Sequence, residues 1–334
     1  MRAVTLEGPG TVRVTSASPP SLEPGQALVQ LRLAGICGSD LAAYRGTSPL
    51  VRYPLVLGHE LLVDVLRSPD RPELEGHRAV VEPMLRCGRC RACRLGRYNC
   101  CASLQVMGVH VDGGLQDQFR VESHNLFPVP EGIPDEVAVL AEPTSIAYHA
   151  VQRSGIGSGR VAVVFGAGAI GLLIAQLLRA RACRVYVVDI NPSRLEVARA
   201  LGAVAVHGSE EDPVRVVSEA TGGEMAEAVF EATGNPACTR LTTEMAGHTS
   251  RIVLIGWNRG PVEVDTVTLM RKEIDLLGSR NSAHEFPSVL TSLAEGVIDA
   301  PRMITHRMSL DESAEALELL GRPTESALKV TIRR

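Results

Sequence analysis

Between Arg160 and Arg179 runs a stretch, Val161 to Leu178, that is apolar except for Gln176 and three glycines. It is long enough to suggest a membrane span, but the placing of the glycines decides against that. Gly166, Gly168 and Gly171 stand between VAVVF and IGLLIAQLLRARA, so the stretch reads as a buried strand, a tight turn and a helix. The turn, GAGAIG, has the form G-x-G-x-x-G and precedes Asp189, at the end of the next strand RVYVVD, by 18 residues. Alone, such a glycine pattern is weak evidence. Between a strand and a helix, with an acidic residue at that distance, it is the fingerprint of a dinucleotide-binding turn.

In such a turn Gly166 permits the sharp bend, Gly168 lets a pyrophosphate approach the backbone, and Gly171 lets the helix lie close to the sheet. Ala169 and Ile170 open the helix, whose N-terminus favours an anion. Asp189 is placed to accept hydrogen bonds from the adenosine ribose hydroxyls and to repel the extra phosphate of NADP, which makes NAD the expected cofactor. Arg194 is placed either to cover the adenine or to reach a 2′-phosphate. Thr233, Ile255 and Gly256, at the ends of the later strands AEAVFEAT and SRIVLIGW, are further expected cofactor contacts.

The same alternation of strands and helices runs from about Ser145 through PSRLEVARALGA to EIDLLGS, which predicts about six strands in a doubly wound parallel sheet. From Met1 to about Ala141 the chain shows short strands such as ALVQLRLAGI and HRAVVEP punctuated by Gly and Pro, a β-rich pattern. Past Gly278, a helix around FPSVLTSLAEG and the segment MITHRMSLDESAEALELL lead to a terminal strand, ALKVTIRR, expected to return to the first domain. The fold class is therefore α/β in two domains, a β-rich domain of residues 1–145 and 284–334 and a Rossmann domain of residues 146–283, with a cleft expected between them.

A net charge of −4 offers no broad basic field for nucleic acid. The opening MRAVTLEGPGTVRVT alternates like a strand and lacks the apolar core of a signal peptide, so neither export nor a membrane is expected and the cytoplasm is. Of the 34 basic residues only Lys272 and Lys329 are lysine, which reads as a coding bias toward arginine without functional content.

Four cysteines, Cys87, Cys90, Cys93 and Cys101, stand in CGRCRACRLGRYNCC at x2, x2 and x7 gaps. Thiolates bind Zn²⁺ at about 2.3 Å in a tetrahedron, and a short loop reaches that geometry when its sulfurs recur at such spacings. A disulfide framework suits small secreted scaffolds, whereas this chain has 334 residues. Four protein ligands close the coordination sphere, so this zinc is expected to be structural. Two further fragments, Cys37-Gly38-Ser39-Asp40 and Gly58-His59-Glu60, each carry a zinc ligand type.

Taken in order, CGSD, GHE, the cysteine loop, AEPTSIAYHA, GAGAIG and EATGNP resemble the zinc-dependent medium-chain dehydrogenase/reductase superfamily over essentially the whole chain. Its first domain is GroES-like. Glu142 in Ala141-Glu142-Pro143 stands where simple alcohol dehydrogenases have a third zinc cysteine, which is similar to the polyol and sugar-acid dehydrogenase branch; YRGTSPLVRYPLVLGHE and MGVHVDGG look similar to its sugar-acid members. The resemblance implies that Cys37 and His59 are catalytic zinc ligands and that Glu60 and Glu142 bind the ion directly or through its water. A carboxylate in place of a thiolate hardens the site and suits a substrate with neighbouring hydroxyls. Zinc there would act as a Lewis acid on an alcohol whose hydride passes to the nicotinamide, and Ser39 is placed to pass the alcohol proton on.

Where many relatives carry a histidine five residues after the zinc cysteine, this chain has Ala42, which leaves the rest of the proton route open. His149 reads as a core residue, and Arg45 or Arg52 as surface residues or as partners for a substrate carboxylate. The expected function is a zinc- and NAD-dependent dehydrogenase of a small polyol or sugar acid. L-threonine or simple alcohol oxidation is second, and a non-catalytic NAD-binding redox sensor is the alternative outside enzymes. The resemblance also implies a homodimer or homotetramer paired through the edges of the nucleotide-domain sheets.

Overall fold

The computed structural model describes residues 1–18, 20–258, 260–322 and 327–334. It divides into two compact units, Met1–Glu142 with Phe286–Arg334, and Pro143–Glu285.

In the first unit the N-terminal strands Arg2–Gly8 and Thr11–Ser16 form an antiparallel hairpin that Leu55–Val56 extends. A larger sheet runs Leu126–Pro128, Arg78–Val81, Glu60–Arg67, Gln26–Ile36, Lys329–Arg333, Ile304–Ser309, and Gln118–Glu122 also pairs with Gln26–Ile36. Only the last pair, Ile304–Ser309 with Lys329–Arg333, is parallel. Gln26–Ile36 shows why such segments become strands. Ala27, Val29, Leu31 and Leu33 are buried, while the residues between them are half-buried or exposed, the period-two alternation of a sheet with one covered face. Val29, Leu31, Val63, Val65, Phe119, Val121, Val330 and Ile332 belong to one apolar core. The C-terminal strand thus completes the sheet begun at the N-terminus.

The second unit holds six parallel strands in the order Val204–His207, Arg184–Asp189, Val161–Phe165, Ala226–Glu231, Ala246–Leu254, Asp275–Gly278. The two central strands, VAVVF and AEAVFE, are buried almost throughout, as strands covered on both faces must be. Sequence order reverses between Val161–Phe165 and Ala226–Glu231, the strand arrangement of a doubly wound sheet. The helices start where local chemistry satisfies their first N–H groups. Asn191, Asp212 and Asn235 accept from the first turns, and Pro192, Pro213 and Pro236 follow them where no N–H is needed. The apolar run at Val161 resolves into the strand Val161–Phe165 and the helix Ala169–Ala180. Among the described residues no helix is long and apolar enough to cross a membrane.

Candidate active site

Three neighbouring strands of the first unit bring their ends together. Gln26–Ile36 runs directly into Cys37, and its register with Glu60–Arg67 pairs Gly35 with Glu60, so Cys37 and His59 meet at the strand ends. On the other side Val330 pairs with Ile36, which puts Lys329 level with Cys37. The ligand atoms of Cys37, His59 and Glu60 lie within 4.8 Å of one another. Gly35 makes room for this. A Cβ on it would stand 1.9 Å from Glu60 Oε2.

Asp40 organises the group. Its Oδ2 accepts the Cys37 N–H at 2.8 Å, closing the first turn of the helix Gly38–Tyr44, and its Oδ1 lies 3.5 Å from His59 Nδ1. The other ring nitrogen, Nε2, is 3.3 Å from Ser39 Oγ, and the ring also hydrogen-bonds Cys37. A carboxylate behind one nitrogen fixes the ring and leaves the other for a metal. Burial pulls the His59 pKa down, but the charge of Asp40 and the hydrogen bond and charge of Cys37 outweigh it, and the net shift is well upward.

Lys329 corrects the sequence reading, which set it aside as compositional bias. It is 2% exposed, and its Nζ donates to both oxygens of the 1%-exposed Glu60, at 2.6 and 2.7 Å, and to the Ile36 carbonyl at 3.3 Å. Burial lowers its pKa, yet the charges of Glu60 and Cys37 raise it further, so the ammonium stays charged. Glu142 is buried in the first turn of the helix Ala141–Ser154 and lies outside the tight trio. Burial pushes its carboxyl up, His59 and Lys329 pull it back, and Glu60 and Asp40 push again, leaving it at about 7.

A thiol, an imidazole and carboxylates therefore converge, with Cys37 half-buried and His59, Glu60 and Glu142 buried. Once the thiol and the imidazole give up their protons, this is a donor set that zinc takes. The residues present fit the ion.

The sulfurs of Cys87, Cys90, Cys93 and Cys101 also lie within 4.8 Å of one another. The N–H groups of Cys87 and Cys90 reach Cys101 Sγ and Cys87 Sγ, each at 3.4 Å, and backbone N–H groups, that of Arg89 first, draw the Cys87 thiol down to about 6. Cys101 is buried within the group and Cys100 is exposed.

In the second unit Gly166 holds φ +101°, and a Cβ on Gly171 would stand 1.8 Å from the Gly166 carbonyl oxygen, so the bend and the close helix both need glycine. A Cβ on Gly168 would meet nothing within 4 Å, which leaves that face open. Gly168 is the N-cap of Ala169–Ala180 and supplies no side-chain acceptor, unlike the Asn and Asp caps elsewhere in the unit. The first N–H groups, with Ala169 and Ile170 in that turn, remain available to an anion.

Asp189 is more engaged than the sequence suggests. Its Oδ2 accepts the Ala167 N–H at 2.6 Å, and its Oδ1 accepts those of Ile190 and Asn191 at 2.7 and 2.8 Å. A carboxylate has about four lone-pair positions, so one on Oδ2 remains for a ribose hydroxyl. Arg194 sits in the first turn of Pro192–Ala200, its N–H bound to Asn191 Oδ1 at 3.2 Å. The adjacent Ile190, 71% exposed, is an apolar face that sequence reasoning missed. Thr233 abuts the glycine turn, its Cγ2 3.0 Å from where a Cβ on Gly166 would stand, and Ile255 and Gly256 follow the neighbouring strand. His149 is paired with Glu285 at 2.6 Å. Arg45 donates to the Gly321 carbonyl at 2.6 Å, and Arg52 is exposed.

Two family models match, the alcohol dehydrogenase GroES-like domain over residues 23–131 and the zinc-binding dehydrogenase domain over residues 169–295. The chain is 39% identical to a zinc-type alcohol dehydrogenase-like protein of Haemophilus influenzae, over 99% of this chain and 98% of that one. It is 36% identical to the L-galactonate-5-dehydrogenase of Escherichia coli, over 88% and 87% of the two chains. A solved alcohol dehydrogenase from E. coli CFT073, complexed with NADH, superimposes with a TM-score of 0.94 at 32% identity, covering 100% of this chain and 99% of that one. With two metal-ligand groups, a dinucleotide turn and these likenesses along its length, the chain belongs to the zinc-dependent medium-chain dehydrogenase/reductase superfamily, in its polyol and sugar-acid branch.

Proposed function

We propose that this protein transfers a hydride between a secondary alcohol of a polyol or sugar acid and NAD, with one catalytic and one structural zinc. The observation that carries this reading is the convergence of Cys37, His59 and Glu60 with the buried Glu142 near them, a donor set with one thiolate and two carboxylates. Cys37, His59, Glu60 and Glu142 would hold the catalytic zinc, and Cys87, Cys90, Cys93 and Cys101 the structural one. When bound, the catalytic zinc supplies Lewis acidity to the substrate hydroxyl, and NAD accepts the hydride. Oxygen donors beside a single thiolate favour a substrate that presents adjacent hydroxyls. Ser39 stands exposed beside His59 and is placed to take the alcohol proton.

The carboxylate of Asp189 supports NAD over NADP, since a 2′-phosphate would meet a charge already fixed by three N–H groups. Ile190 offers the adenine an apolar surface. Domain limits at 1–145 with 284–334 and at 146–283 go with this reading, as does a reducing, cytoplasmic setting for eight unbridged cysteines. A homodimer or homotetramer is supported by the outer edge of Asp275–Gly278, a terminal strand of its sheet with Leu276 39% exposed.

The test is a panel of polyols, sugar acids, L-threonine and simple alcohols, offered with NAD and with NADP, read as reduced cofactor at about 340 nm alongside metal analysis. NAD reduction with a polyol or sugar acid and two zinc ions per chain are expected. One zinc confined to the cysteine loop and no turnover on any member would sink the reading.

A further inference from the structure

Glu231 ends the strand Ala226–Glu231, beside Val161–Phe165, where the strand order of the sheet reverses. Doubly wound folds bind their ligands at the carboxyl ends of the strands flanking such a reversal. A carboxylate there would be expected to face the ligand. Glu231 instead is 1% exposed and turned back on the protein. Its Oε1 accepts the N–H groups of Thr233 at 2.8 Å and Gly234 at 3.0 Å, together with the Thr233 hydroxyl, and its Oε2 takes the Gly234 N–H at 3.1 Å. Its backbone carbonyl accepts the N–H groups of both Ile255 and Gly256 at 2.9 Å.

One residue therefore ties together two loops, the one that follows its own strand and the one that follows the next strand, Ala246–Leu254. The loops touch backbone to backbone. A Cβ on Gly256 would stand 2.1 Å from the Gly234 nitrogen and 2.8 Å from Glu231 Oε2, and one on Gly234 would stand 2.6 Å from the Trp257 carbonyl oxygen. Glu231 makes no ion pair among the described residues, so the donors that offset the burial of its charge are Thr233 and Gly234 of the first loop, against which Gly256 of the second loop packs.

Resting on the cofactor reading above, the adenosine half lies over Asp189, on one side of the glycine turn, and the pyrophosphate lies at the turn. The nicotinamide half then extends to the other side, over residues 233–235 and 255–257. We propose that Glu231 is a positioning residue for the nicotinamide half of the cofactor: it holds these two loops at the spacing the nicotinamide riboside needs and does not touch the reacting atoms.

Trp257, the only tryptophan in the chain, is 75% exposed within the second loop and reports on it by fluorescence. The experiment titrates NADH and ADP-ribose, which lacks the nicotinamide, into the wild-type holoenzyme and into Glu231→Gln, following Trp257 emission and confirming each affinity by calorimetry. A merely structural role would weaken both ligands alike. The expected result is a loss of about tenfold or more in NADH affinity with ADP-ribose within about twofold of wild type, and a shifted Trp257 emission maximum before any ligand is added. Equal weakening of both ligands, or none of either, overturns the proposal. A wild-type protein that binds neither ligand overturns the cofactor reading and the proposal with it. If Glu231→Gln does not fold, Glu231→Asp, which keeps the charge but withdraws the oxygens by one bond, is read in the same way.

Discussion

Replacing Lys329 by methionine removes the cation of a buried ion pair while keeping most of its volume, and the metal-free and zinc-loaded proteins should respond differently. Lys329 and Glu60 are 2% and 1% exposed, so water cannot take over the lost ammonium. The two short contacts from Nζ to Glu60, at 2.6 and 2.7 Å, vanish, and the charges of Asp40 and Glu142 act on the same neighbourhood. Breaking a buried pair by deleting one partner costs about 3–5 kcal/mol, because a charge is left uncompensated. For a unit of this size that corresponds to a fall of roughly 6–20 °C in Tm. The assay is scanning calorimetry of Lys329→Met after chelation and after zinc reconstitution. In the chelated protein the full loss is expected; with zinc present it should shrink by at least half, since the cation neutralises the same carboxylate. Adding Glu60→Gln to Lys329→Met should recover most of the metal-free loss, because no unpaired charge remains. A loss below about 1 kcal/mol in the chelated single variant, the range of an exposed pair, would refute the reasoning.

Asp117 gives a pH signature. Burial raises its pKa, but hydrogen bonds from the Arg2 side chain and N–H and from Arg334 hold it down at about 2, against an ordinary value of 3.8. A depressed carboxylate stabilises the fold above its unfolded pKa and loses that contribution as pH falls from about 4 to 2; with both arginines near 40% exposed, about 1–2 kcal/mol after screening is expected, and Asp117→Asn should be less stable than wild type at pH 7 but not at pH 2 in urea melts. Cys101→Ser should leave about one zinc per chain by metal analysis, and trypsin should then cut at Arg91, Arg94 or Arg97 at least about tenfold faster, since the metal is what orders that loop. Asp189→Ser should lower kcat/KM with NAD by about tenfold or more and raise the NADP-to-NAD ratio, measured side by side with one substrate. Ser39→Ala should lower kcat by about 10²-fold with little change in KM, and an unchanged kcat would remove Ser39 from proton transfer.

What the sequence made legible is local. The glycine turn works because its residues sit within one bend and one helix start, and the cysteine loop because its sulfurs recur within a span short enough to close on itself. The short edge strand Val204–His207, one of the six expected, was not located because four residues, VAVH, show too little periodicity to separate from the preceding helix. Asp40 was within reach. Its carboxylate caps the Cys37 N–H three residues back, a capping-box relation that the spacing in CGSD already shows. The place of Asp189 at its strand end was legible, but not its three backbone donors, because those depend on how the strand end folds over the glycine turn.

Lys329 was out of reach for a different reason. Its partner lies 269 positions away, and they meet because two registers coincide, Gly35 with Glu60 and Val330 with Ile36. A shift of one residue would turn the lysine to the opposite face of the sheet in the one pairing and the glutamate in the other. No local pattern encodes that, and a rare lysine in an arginine-rich chain looks like composition. The same registers determine what Glu60 can offer a metal, since it enters the donor group with both oxygens already accepting from Lys329. Whether a motif carboxylate binds an ion directly or through water is thus decided by a strand at the far end of the chain, which is why GHE identifies a ligand type while the geometry of the site is set by the sheet.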